Sequence, residues 1–272
     1  MNYLLLFFIF LFGASIGSFL NVVIDRLIQE ESLSGRSHCD HCHHKLAWYD
    51  LIPIVSFFLI KGRCRYCRKK ISWQYPMIEM ITGLVFLLVF SFQFSVFNEF
   101  SIFSFQKENI LNLFKLFFSW GITSCFIVIF ISDLKYHLVS DWVLLSLFIF
   151  VLGFHLTNFN HFQPFLTNFI PSSFIVALPI FLIYFISKER AMGFGDVIIS
   201  AIIGFLLGWQ KGLLALYIAV ITGAIYGIVL IIFRQKKLKS KIAFGPFIII
   251  GVVLMLIWGD RVVEMIKRMY GL

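Results

Sequence analysis

Apolar runs of membrane-crossing length recur throughout this chain and leave little sequence between them. A helix of about 20 residues matches the ~30 Å hydrocarbon core of a bilayer. Runs of that order lie at 3–24, 77–97, 110–131, 170–187, 213–233 and 244–259, with shorter ones at 142–157 and 197–209. Of the 272 residues 60% are hydrophobic and only 14% charged, which is more apolar surface than one soluble core can hide. The expected fold is therefore an all-α integral membrane protein of about eight transmembrane helices, with the lipid bilayer as its first partner. The opening MNYLLLFFIFLFGASIGSFLNVVIDRL has no basic residue ahead of its apolar run, so it reads as a retained span and not a cleaved signal peptide. No internal repeat is expected.

A net charge of +9 is compatible with nucleic-acid binding, but the placement of Lys and Arg fits membrane orientation instead. With the N-terminus outside and eight helices, the inside segments 25–76, 132–141, 188–196 and 234–243 hold 17 of the 23 basic residues. No nucleic-acid partner is expected. The chain divides into a first helix (1–24), a polar cytosolic domain (25–76) and a polytopic membrane domain (77–272).

The polar domain contains HCDHCHHKLAWYDLIPIVSFFLIKGRCRYCRKK, with Cys39, Cys42, Cys64 and Cys67 spaced C-x2-C-x21-C-x2-C. Each pair can close a tight knuckle, and two knuckles can share one tetrahedral ion, for which soft thiolates favour Zn²⁺. Disulfides and free thiols are the competing readings. The cytosolic placement, inferred from charge, disfavours disulfides. His38, His41, His43 and His44 crowd the first pair, but four cysteines satisfy the coordination number alone. Such a closed site is structural, because no position remains for a reacting water. Cys125, within an apolar span, reads as a small buried hydrophobe.

Acids near membrane depth are costly and need a reason. Asp133 and Asp141 lie in FISDLKYHLVSDWV, and Asp196 lies in MGFGDV, all at the inside ends of helices. Ser140-Asp141 precedes an apolar run and reads as a helix cap. Asp196 also precedes a helix, but Gly193 and Gly195 exceed what a cap needs and are expected to permit positive φ and close backbone approach. The short runs 142–157 and 197–209 place these acids below the surface if their far ends reach the opposite interface. Two carboxylates brought together there would share a proton, one taking a proton from water and the other polarising a peptide carbonyl. On the residues alone, a dyad protease and a transporter with a proton relay both remain open.

Taken together, these pieces resemble the bacterial type IV prepilin leader peptidase family, the GxGD-type membrane aspartyl proteases. GASIGSFLNVVIDRL is similar to that family's opening helix, the two Cys pairs to its zinc domain, and YDLIPIVSFFLIKGRCRYCRKKISWQYPMIEMITG to the lead into its second helix. SDLKYHLVSD resembles the first catalytic-aspartate segment, GFGD the second, and AFGPFIIIG the last helix. The resemblance implies Asp133 and Asp196 as catalytic, Asp141 as supporting, and a multi-pass enzyme of the bacterial cytoplasmic membrane. It implies leader removal from prepilin or pseudopilin substrates, followed by N-methylation of the new terminus with S-adenosylmethionine. Ser140 stands where the family commonly has proline and Ile198 where many members have lysine, with Lys188 and Arg190 as possible substitute cations. Methylation rests on the resemblance alone, since no glycine-rich nucleotide loop following a strand is visible.

Overall fold

The computed structural model describes residues 3–28, 31–39, 41–95, 107–157, 169–189, 192–233 and 243–269. Among them the regular structure is helical. The N-terminal half contains α1 (Tyr3–Ile28), a 3-10 turn (Trp48–Leu51), α2 (Val55–Leu59), α3 (Gln74–Ser95) and α4 (Lys107–Tyr136). There follow α5 (Asp141–Leu156), α6 (Ile170–Ser187), α7 (Phe194–Leu207), α8 (Trp209–Ile232) and α9 (Gly245–Met269).

Among the described residues, six helices are long and apolar enough to cross a membrane: Tyr3–Leu27, Gln74–Gln93, Ile110–Tyr136, Ile170–Ser187, Trp209–Ile232 and Gly245–Met269. The shorter apolar helices are Asp141–Leu156 and Phe194–Leu207. The protein is thus a multi-pass all-helical membrane protein, and its apolar helices match the eight runs in the sequence. At 16 and 14 residues, α5 and α7 reach only about 24 and 21 Å.

Two compact units divide the chain at Val128, within α4. In the first, α1 lies against α3 at small-residue contacts. A Cβ on Gly17 would fall 2.7 Å from the Glu79 Cα, so glycine is what lets the two backbones meet. Lipid tails are as apolar as the helices, and such close packing takes over the role that the hydrophobic effect plays in water. Further along, Phe86 of α3 stacks on Trp120 of α4 with ring centroids 5.0 Å apart and planes 5° from parallel. The Trp120 indole N–H donates to the Phe86 carbonyl at 3.2 Å, which satisfies its polar atom inside the apolar contact.

The second unit is organised around α7, which contacts α5, α6, α8 and α9. Eight of its 14 residues are buried, among them Ile199 and Ile203. Polar groups on its neighbours bond to carbonyls of this helix: Ser173 Oγ donates to Ala201 at 2.9 Å, and His155 Nε2 pairs with Phe205 at 2.9 Å. The central helix is therefore short, enclosed and held along its length, and Asp196 lies in its first turn.

Candidate active site and metal centre

Asp133 occupies a position that the sequence places in a loop after a span ending at 131. Instead α4 continues to Tyr136, and His137 closes it at φ 54°. Ser132 and Asp133 are both buried, the latter only 7% exposed. The polar stretch stays helical because its acid has a partner. Asp133 Oδ2 accepts the Gly245 N–H at 2.7 Å. Gly245 is the first residue of α9, and the first amides of a helix have no partner within it and carry its positive end. An acid at that position is held by both a hydrogen bond and a dipole. His137 lies close enough to Asp133 for their charges to interact.

Asp196 is held differently. Gly193 is the N-cap of α7, and the Gly193 N–H donates to Asp196 Oδ2 at 3.2 Å, the reciprocal half of a capping box. Asp196 therefore lies inside the helix and does not precede it. The expectation for the glycines is also corrected. Gly193 has φ −81°, an ordinary extended residue, and Gly195 is helical. A Cβ on Gly195 would meet nothing within 4 Å, so this glycine leaves open space beside the acid and accommodates no backbone contact. The left-handed conformation goes unused because the capping carboxylate already fixes the turn.

The two acids lie within range of each other's charge, inside one unit. Asp141 is the first residue of α5, and its N-cap is Ser140, whose side chain makes no capping bond. The cap expected from Ser140-Asp141 is thus made by backbone alone, and Asp141 is exposed. It lines an apolar groove of about 810 Å³ between α5, α6 and α7, together with Val197 and Ile198, the residues next to Asp196. Lys188 is the exposed left-handed C-cap of α6, while Arg190 lies outside the described residues.

Gly245 was not singled out in the sequence. A Cβ there would stand 2.8 Å from Asp133 Oδ2, so only glycine permits the bond. The one local signal is the Gly245-Pro246 pair at a helix start, where proline's missing N–H costs nothing. Nothing local points to an acid 112 residues away.

In the first unit, the Sγ atoms of Cys39, Cys42, Cys64 and Cys67 all lie within 4.8 Å of one another. Cys39 and Cys67 are 3.9 Å apart. Tetrahedral zinc at about 2.3 Å from each sulfur needs about 3.8 Å between sulfurs, whereas a disulfide needs about 2.05 Å. The donor set fits a metal ion, and none of the four cysteines is joined in a disulfide.

The knuckles are near copies of each other, 25 positions apart. The His43 N–H donates to Cys39 O at 2.8 Å and the Arg68 N–H to Cys64 O at 2.9 Å, and both donors have positive φ, 51° and 57°. Bridges His38–Lys45 and Arg63–Lys70 close the two loops. A local repeat is thus present where none was expected, because eight residues with two shared cysteines are too few to register as one. The Cys39 thiol is pushed up to about 11 by burial. Burial acts on Cys64 in the same sense, but hydrogen bonds from the Cys67 and Tyr66 backbone N–H groups and from the Cys39 and Cys67 side chains together bring the thiol down to about 7.

Two family matches cover these sites. The bacterial peptidase A24 N-terminal domain matches residues 11–93, and the type IV leader peptidase family matches residues 120–228. The chain belongs to the type IV leader peptidase family. Similar proteins include the prepilin leader peptidase/N-methyltransferase of Stutzerimonas stutzeri, 27% identical over 92% of this chain and 89% of the relative. Those of Aeromonas salmonicida strain A449 and Bacillus subtilis strain 168 are 29% and 26% identical, covering 93% and 96% of this chain and 91% and 97% of the relatives. No solved structure matches significantly. Within the leader peptidase matches, the first segment contains the four cysteines and the second contains Asp133, Asp141 and Asp196, while Gly245 lies beyond both.

Proposed function

We propose that the chain is a membrane aspartyl endopeptidase that removes the leader peptide of type IV prepilins or pseudopilins. On this reading the reaction takes place at the cytosolic face of the bacterial cytoplasmic membrane, and the enzyme then N-methylates the new terminus with S-adenosylmethionine. The observation that carries it is the pairing in one unit of two acids within charge range, each with Oδ2 held by a backbone N–H. Like charges that close favour a shared proton. Asp133, on the positive end of α9, is suited to the charged role of taking a proton from water. Asp196 is suited to hold the shared proton and donate it to the scissile carbonyl oxygen. The hydroxide equivalent then adds to the carbonyl carbon, and proton return to the leaving amine completes cleavage. The open space beside Gly195 is where an extended substrate backbone would approach, and Asp141 supports from the mouth of the groove. Lipid-depth acids also suit a proton relay, but relatives named as enzymes along nearly the whole chain favour hydrolysis.

In this reading Cys39, Cys42, Cys64 and Cys67 hold structural zinc, which would fix the two knuckles of the 25–76 domain. No residue is assigned to the methyl donor; the family alone supports that half. Mass spectrometry of a prepilin incubated with the purified protein and methyl donor tests both halves. The expected product has lost its leader and gained one methyl group. An intact precursor would refute the peptidase reading, and a cleaved but unmethylated product would leave a peptidase alone.

A further inference from the structure

Between the knuckles lies an apolar face that contains none of the four cysteines and none of the three acids. Val55, Phe58 and Leu59 of α2 recur at i, i+3 and i+4 and so share one face of the helix. They are exposed, Leu59 to 72%, while Phe57 on the opposite side is buried. Trp73, also exposed, sits beside this face with its ring 6.2 Å from that of Phe58. In a water-facing domain, such a cluster beside a separate buried residue would be a liability.

A hydrogen bond determines where the face lies. The Ile54 N–H donates to Glu79 Oε2 at 2.6 Å. Glu79 is the sixth residue of α3, a helix whose membrane-crossing stretch begins at Gln74. Glu79 is therefore about 7.5 Å along the helix axis from its start, comparable with the thickness of one interfacial layer, about 5–7.5 Å. The bond fixes Ile54 at that depth although its φ is 63°, an unusual value for a β-branched residue. α2 follows at once, so its start is tied to the second turn of α3. Lys61, Arg63, Lys69 and Lys70, all exposed, follow the face in the chain, and the Ile71 N–H donates to the Gly62 carbonyl at 2.8 Å, joining the two basic pairs. Apolar side chains at the hydrocarbon boundary with Lys and Arg beside them are the composition of a surface that sits in anionic lipid.

We propose that α2 and Trp73 form an interfacial anchor, inserted among the anionic lipids of the leaflet that α3 enters, so that the cysteine domain lies on the membrane instead of standing free in water. This inference is independent of the peptidase reading. To test it, the full-length protein carrying p-benzoylphenylalanine in place of Leu59 is reconstituted in vesicles of phosphatidylethanolamine and phosphatidylglycerol, irradiated, and analysed by mass spectrometry. The same probe at Leu88, exposed midway along α3, is the control for insertion and chemistry. Both positions are expected to capture lipid. Phosphatidylglycerol should be enriched at least about twofold over its bulk share at position 59, and the enrichment should disappear in Lys69→Gln/Lys70→Gln. Lipid capture at 88 with none at 59, or capture of a second copy of the chain at 59 in place of lipid, would overturn the anchor. Lipid capture at 59 without head-group preference would overturn the anionic part.

Discussion

The Gly245 amide and the Asp133 carboxylate meet across 2.7 Å although 112 positions separate them. The bond joins the end of α4 to the start of α9, and it sets the position of a buried acid. It also makes a residue outside both family matches part of the site.

Gly245→Ala is the direct test of that relationship. The added Cβ would fall 2.8 Å from Asp133 Oδ2, so the carboxylate must move or lose the bond. A displacement of even 1 Å is expected to slow leader removal about a hundredfold. Rates measured on a purified prepilin, with the variant inserted and eluting as wild type does, check this. A wild-type rate would mean that the bond does not position the acid.

The two acids themselves should be indispensable. Asp133→Asn and Asp196→Asn keep shape and lose proton transfer, so each is expected to reduce cleavage by at least about a hundredfold. Asp141→Asn, at an exposed first-turn position, should keep part of the activity. Gel-shift or mass analysis of leader removal decides, and normal cleavage by either of the first two variants would end the dyad assignment.

Metal removal should affect the first unit. One zinc per chain is expected by elemental analysis of protein prepared without chelator, and Cys64→Ser should lower that content. Chelation should loosen the 25–76 segment, read by hydrogen exchange, before the membrane helices respond, because the ligands are the ties between two otherwise short loops. Metal-free protein or mapped disulfides among these thiols would contradict it.

Cleavage and methylation should be separable. Water activation needs the acids, whereas methyl transfer needs a neutral amine aligned with an activated methyl group. Asp196→Asn is therefore expected to methylate a pilin segment supplied without its leader, at a rate close to wild type. Transfer of labelled methyl measures this, and loss of transfer in the variant alone would show that both reactions require the dyad.

What the sequence determined by itself is whatever rests on near neighbours. Apolar run length marked the spans, since a helix satisfies its backbone internally and only its side chains need suit lipid. The C-x2-C pairs revealed the knuckles, since a knuckle is a local turn whose geometry four or five residues set. The three acids stood out for the same reason, as exceptions within apolar surroundings. The tertiary structure decided what those local signals left open. SDLKY looks like a loop, yet it is helical through Tyr136 because Asp133 finds its partner on α9. MGFGDV looks like a glycine turn that needs positive φ, yet a carboxylate capping its own helix makes an extended Gly193 sufficient. Nothing around Ile54 signals that its amide meets Glu79, 25 residues on, and ties the start of α2 to α3. The bonds at Asp133 and Ile54 join groups far apart in the chain and form only in the assembled helices, and residue spacing carries no record of them, whereas the Gly193–Asp196 cap spans three residues and is local.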